Sequence, residues 1–135
     1  MMGCRLRIAL MALLFASPAY AQPLERGEWD QIQSRGRHVF YWMRGPQPQT
    51  IWLRHEQTRL MTYESETWRS RRYLFEVRCD DLTSRQLLEE QFSGQNLTEP
   101  LREDRNVGKW EEVDRFSPHG TAMRRYCGEP DAQPR

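Results

Sequence analysis

Lysine is almost missing from this chain: Lys109 is the single one, and arginine carries the rest of the positive charge. Charge of one dominant sign is missing too, since 20 Lys+Arg stand against 19 Asp+Glu in 135 residues. A nucleic-acid binder concentrates positive charge, so no nucleic-acid partner is expected. No apolar run approaches the roughly 20 residues that a membrane-spanning helix requires. Cysteine is scarce, at positions 4, 79 and 127 only, and none has a paired cysteine or histidine at the spacing of a structural zinc site. His38, His55 and His119 fall on separate segments with no H-x-H or H-x-x-x-H spacing. There is no G-x-S-x-G elbow to make a serine nucleophilic, and Ser117, followed by Pro118, reads as a helix cap. The acidic doublets Asp80-Asp81, Glu89-Glu90 and Glu111-Glu112 are adjacent, and adjacent strand side chains point to opposite faces. They make no catalytic dyad. The sequence therefore predicts no catalytic, metal-binding or cofactor-binding residue, and no enzyme. Internal repeats and low-complexity tracts are absent as well.

What is present begins at the N-terminus. Arg5 and Arg7 precede the apolar stretch Ile8 to Phe15, and Ala19 and Ala21 then form an A-x-A site. This order of positive, apolar and small-residue segments is that of a secretory signal peptide. Residues 1–21 are read as that peptide, with cleavage between Ala21 and Gln22. Losing Arg5 and Arg7 from 20 positive residues, against 19 acidic ones, turns the net charge to −1. Gln22, not cysteine, would open the mature chain, so a periplasmic or extracellular protein without a lipid anchor or stable membrane insertion is expected. Residues 22–128 fit one domain, and residues 129–135 read as a disordered tail.

Cleavage removes Cys4 and leaves Cys79 and Cys127. In an oxidising compartment such an even pair favours a disulfide. It closes a loop of about 48 residues, which in the chain-entropy model stabilises the fold by about 4 kcal/mol.

Strand signals fill most of the mature region. Trp29 to Gln33 and His38 to Arg44 are separated by a turn at Ser34-Arg35-Gly36, and Gly45 to Gln49 carries two prolines that end the second strand. Ile51, Trp52 and Leu53 open a third strand. Thr67 to Cys79 is the clearest: Tyr73, Phe75, Val77 and Cys79 alternate onto one face, and Arg72, Leu74, Glu76 and Arg78 onto the other. Arg85 to Phe92 is ambiguous by composition, since its Leu, Glu and Gln favour helix. Ser93 to Arg105 reads as loop, and Val107 to Val113, with Trp110, as a last strand. Ser117-Pro118 then caps a helix over His119 to Cys127, with Ala122, Met123 and Tyr126 toward the sheet and Gly128 ending it. The fold class is α+β: an antiparallel sheet of about five or six strands with a short C-terminal helix tethered to it by Cys79–Cys127.

Trp29, the aromatic strand Val39-Phe40-Tyr41, Trp52, the alternating strand ending at Cys79, then Trp110-Glu111-Glu112-Val113, Ser117-Pro118 and the helix ending in Cys127 come in a distinctive order. The pattern, from about Trp29 to Cys127, resembles the bacterial surface-adhesin protein E family. The resemblance implies an antiparallel sheet with a disulfide-tethered terminal helix, and it implies that Arg85 to Phe92 is strand. It also implies an exported, non-enzymatic protein that binds host extracellular and plasma proteins. The chain departs from the family in two ways. Tyr41-Trp42-Met43 replaces a Tyr-Asp-Pro after the second strand, and the adhesin itself is a lipoprotein. The alternative is a periplasmic inhibitor or envelope accessory module acting on another bacterial protein. Trp68, Arg69, Arg71, Arg72 and Arg78 interleave with Tyr73 near the central strand and mark a cationic–aromatic surface for a protein or anionic polysaccharide partner.

Overall fold

The computed structural model describes residues 29–58 and 67–129. The expected signal peptide, its cleavage site at Ala21 and Gln22, and residues 130–135 of the expected tail lie outside the described residues. Among the described residues seven strands precede one helix: β1 (Asp30–Arg35), β2 (His38–Arg44), β3 (Thr50–Gln57), β4 (Ser70–Arg78), β5 (Thr83–Phe92), β6 (Pro100–Asp104), β7 (Glu111–Glu112) and α1 (Pro118–Tyr126). Strands β1 to β6 lie side by side in chain order, each antiparallel to the next, and β7 pairs with the start of β5. The expected α+β class, with one short C-terminal helix, is what the chain adopts.

The pleat sorts the side chains into two faces. Trp42 on β2, Ile51 and Leu53 on β3 and Val77 on β4 form a core with Ala122 and Met123 of the helix, with Tyr73, Phe75, Val113 and Tyr126 packed around it. This is the helix face. Ile51, Ala122 and Met123 are fully buried. A helix of nine residues is marginal alone in water. Here the Ser117 side chain accepts the Gly120 N–H, Pro118 opens the first turn, and Arg124 and Arg125 lie at the negative end of the dipole. A disulfide joins Cys79, at the end of β4, to Cys127, with the Cα atoms 5.7 Å apart. The chain turns back after it, with Gly128 at φ +77°, and Glu129 donates its N–H to Arg124 and pairs with Arg115.

Three details differ from the sequence reading, and a fourth resolves an ambiguity in it. The first turn is at Gly36-Arg37, with Ser34 and Arg35 still in β1; Gly36 takes the positive φ of +58° that the turn demands. Arg85 to Phe92, ambiguous by composition and strand by the resemblance, is strand within β5, because β4 and β6 supply ladder partners on both sides. Long-range pairing overrides its local propensity. The expected loop Ser93 to Arg105 contains β6, whose first residue is Pro100, a position at which the missing N–H costs no ladder bond. In the expected last strand only Glu111 and Glu112 join the ladder; Trp110 precedes it, while Gly108 and Val113 each donate one backbone bond to β5 or its entry.

Candidate functional site

Opposite the helix, the second face of the sheet carries arginines alternating with aromatic rings. On β3 the period of two puts Trp52, Arg54 and Glu56 on this open face. Register then aligns Tyr41, Arg54, Arg72 and Glu90 in one row across β2 to β5. The Arg72 guanidinium lies 4.8 Å from the Trp52 ring centroid and 6.0 Å from that of Phe92, and it pairs with Glu90. Arg54 lies 4.8 Å from Tyr41 and 5.7 Å from Trp29. It donates to Glu56 and, at 2.8 Å, to the Asn96 side chain, whose own backbone N–H reaches Glu56 at 3.0 Å. Burial pushes the Glu56 carboxyl above its ordinary pKa, against the opposing pull of Arg54.

At the other end of this face Trp110 is half-buried under two cations. Arg78 sits 3.6 Å from its ring centroid and Arg85 5.0 Å. Arg85 is Cα-paired with Glu76 and donates to its carboxylate at 2.7 Å. Guanidinium groups stack on indole rings without losing their hydrogen-bonding edges. Such a layer can therefore offer both flat apolar area and donors to an incoming surface.

The five residues expected to form one binding surface do not share a face. Arg72 and Arg78 belong to the open face. Arg71 is paired with His55 and points to the helix face, where its guanidinium covers Trp68 at 3.7 Å and lies 3.7 Å from Glu89. Trp68 is buried and meets His55 edge-on at 4.9 Å. Arg69, just ahead of β4, reaches the Thr58 carbonyl. The sequence reading treated consecutive arginines as one patch, although the pleat separates odd from even positions. Trp52, Arg54, Arg85 and Trp110, which it passed over, complete the open face. The alternation Trp52, Arg54, Glu56 was the signal that could have found three of that face's residues.

Two histidine arrangements occupy the helix face. His38 Nδ1 and His55 Nε2 are 2.8 Å apart, and Phe40 stacks on His55 at 4.3 Å. Burial, then the charges of His38 and Arg71, lower the His55 pKa to about 4. At the start of α1, His119 stacks on Phe75 at 3.9 Å and its Nε2 lies 3.2 Å from Ser84 Oγ. Burial alone lowers its pKa to about 4, so both rings are neutral at pH 7. His119 and Ser84 border a cleft of about 440 Å³, open between the helix start and the segment from Asn106 to Asp114. Among the described residues no group of three His, Cys, Asp or Glu side chains is placed to hold a metal ion.

The fold and this surface define a class: a disulfide-pinned antiparallel meander with one helix-covered face and one arginine–aromatic face. Comparison with family models, with curated proteins and with solved structures finds no match to the chain. No helix among the described residues is long and apolar enough to cross a membrane.

Proposed function

We propose that the chain is an exported binding protein of the surface-adhesin E kind, and that its open face holds a protein partner. The observation that carries this reading is the half-buried Trp110 beneath Arg78 and Arg85, continued across the sheet by Trp52 with Arg72. Trp, Tyr and Arg are the residues that dominate protein–protein hot spots. Export is supported by the N-terminal order of charges, apolar run and A-x-A site, and by the Cys79–Cys127 bridge, a bond that persists in oxidising compartments.

The test is affinity capture by the mature, oxidised chain from host matrix and plasma proteins and, separately, from the native bacterial envelope. Wild type is compared with Trp110→Ala and Arg72→Ala, with fractionation locating the chain. Capture from host proteins that falls at least about thirtyfold in both variants supports the adhesin reading, since losing a hot-spot residue costs about 2 kcal/mol or more. Variant-sensitive capture confined to envelope proteins, with periplasmic fractionation, supports the accessory or inhibitor reading instead. Capture unchanged by either substitution removes the open face from the function.

A further inference from the structure

The cleft bordered by Ser84 and His119 owes its shape to a break in the ladder beside β5. Glu111 and Glu112 pair with Ser84 and Thr83, and Gly108 donates its N–H to Gln86. Between Gly108 and Glu111 the chain leaves the ladder, and Trp110 passes beneath Arg78 and Arg85 on the open face. On the helix face the start of α1 stands over the same stretch of β5, fixed by the stack of His119 on Phe75 at 3.9 Å. The space between is about 440 Å³, within the roughly 300–1,000 Å³ of small-molecule sites.

The lining restricts what can enter. Small-molecule sites are mostly apolar with a few polar groups. Here the proportion is reversed, with Phe75 and Val113 the apolar side chains in a largely polar wall. An apolar ligand would displace water from hydrogen-bonding groups and return nothing to them. Glu111, Glu112 and Asp114 stand against Lys109 alone, so an anion meets an excess of its own sign. The floor is uncharged. Ser84 is only 4% exposed, and His119 is neutral at pH 7 because burial lowers its pKa to about 4. A cation seated there would leave water with no counter-charge beneath it, and the Asp114 carboxylate already accepts the Phe116 N–H.

A ligand that is uncharged and rich in hydroxyls meets every one of these conditions. A serine hydroxyl donates once and accepts twice, and a neutral imidazole donates once and accepts once. Ser84 Oγ and His119 Nε2 share a single contact of 3.2 Å. Whichever tautomer His119 holds, the serine oxygen keeps capacity for a further hydrogen bond. Gln86 and Asn106 add amides, which donate and accept, and the carboxylates at the rim only accept. A sugar hydroxyl does both and brings no charge to be desolvated.

We propose that this cleft binds a neutral saccharide unit, seated on Ser84 and His119 and held at the rim by Asn106 and Glu111. The site is on the other side of the sheet from the arginine–aromatic layer and does not depend on the reading of that layer.

Two-dimensional NMR of the mature, oxidised chain, titrated with glucose, galactose and N-acetylglucosamine, tests the site. The amides of Ser84, Gln86 and His119 should shift with a millimolar dissociation constant for at least one sugar. Ser84→Ala should weaken binding by about fivefold, the loss of one neutral hydrogen bond. Asn106→Ala, at an exposed position, should weaken it by a similar factor and keeps the test decisive if Ser84→Ala disturbs the fold. Preference for N-acetylglucosamine supports the site with cell-wall glycans as the source, and preference for galactose supports it with host glycans. Free arginine is the charged control. Shifts at the cleft with arginine and with no sugar overturn the proposal, because the rim then selects charge. Three other results also overturn it: no shift with any sugar, shifts confined to Tyr41, Arg54 and Arg72 on the open face, or binding indifferent to both substitutions.

Discussion

Arg54 and Glu56 stand two residues apart on β3, share the open face, and are each only 9% exposed at the side chain, with Arg54 Nη2 2.6 Å from Glu56 Oε1. Two charges removed from water are tolerable only when each satisfies the other, and deleting one partner leaves an uncompensated buried charge. Asn96 closes the arrangement by bonding to both. The pair thereby fastens the loop after β5 onto the sheet, and Ser70 helps by donating to Gly94 and accepting from Leu97.

Arg54→Ala should cost about 3–5 kcal/mol of folding stability. The cost should shrink at low pH, because Glu56, already pushed up by burial, then takes a proton. Urea denaturation at neutral and mildly acidic pH measures both effects. A loss below about 1 kcal/mol would mean the pair behaves as a surface ion pair.

Removing the bridge with the paired substitutions Cys79→Ser and Cys127→Ser should lower stability by about 4 kcal/mol for a separation of 48 residues. Domains of this size have about 5–15 kcal/mol in total, so the helix should be the first element to loosen. Hydrogen exchange resolved by residue checks this: amides of α1 should lose protection before those of β3 and β4. Equal loss everywhere would show that the helix has no separate opening.

The fold was legible where a residue's local chemistry and its long-range environment agree. Ser117, Pro118 and Gly128 punctuate the helix wherever it packs, and the alternation of Tyr73, Phe75 and Val77 needs only a sheet to bury one face. Two cysteines in a chain bearing an export-like N-terminus leave one pairing. The rest depended on partners that a linear reading does not supply. β6 is an exposed edge held by its ladder to Glu89–Phe92, and the lone, half-exposed Leu101 in Pro-Leu-Arg-Glu-Asp makes no alternating pattern that marks it. Arg85 to Phe92 is strand only because neighbours flank it. The grouping of the arginines was hidden for the same reason: Arg71 and Arg72 are adjacent in the chain and on opposite faces in the sheet, while Trp110 reaches Arg78 only after the chain has run through β5 and β6.

Gly120→Ala offers a substitution whose sign is opposite to the usual one. In an open helix alanine is favoured over glycine by about 1 kcal/mol. Here a Cβ at position 120 would fall 2.0 Å from the Asp114 carbonyl oxygen and 2.8 Å from Arg115 Cα, both backbone atoms that cannot swing aside. The segment before the helix is held by the Ser117 hydroxyl on Asp114 and by Arg124 Nε on the Arg115 carbonyl. Alanine should therefore destabilise the domain by about 1–3 kcal/mol. A thermal midpoint equal to or above that of wild type would show that this close approach is not kept in solution.

The neutral, buried His119 makes stability depend on pH in a defined window. Its folded pKa of about 4 lies below the ordinary 6.5, so between those values the unfolded chain holds a proton that the folded chain does not. Stability from this group is complete above pH 6.5, falls as pH drops toward 4, and changes no further below that. The slope is at most about 1.4 kcal/mol per pH unit for one proton, reduced by whatever solvent screening remains. His55 acts in the same direction, whereas Glu56, raised by burial, acts in the opposite one. Comparison with His119→Phe cancels both. Phenylalanine keeps a ring against Phe75 but cannot titrate, and losing the Ser84 contact adds a cost independent of pH. The difference in unfolding free energy, wild type minus variant, should therefore decrease steadily from pH 6.5 to 4 and be flat above 7. A difference constant across that whole range would mean that His119 titrates alike in the folded and unfolded chains.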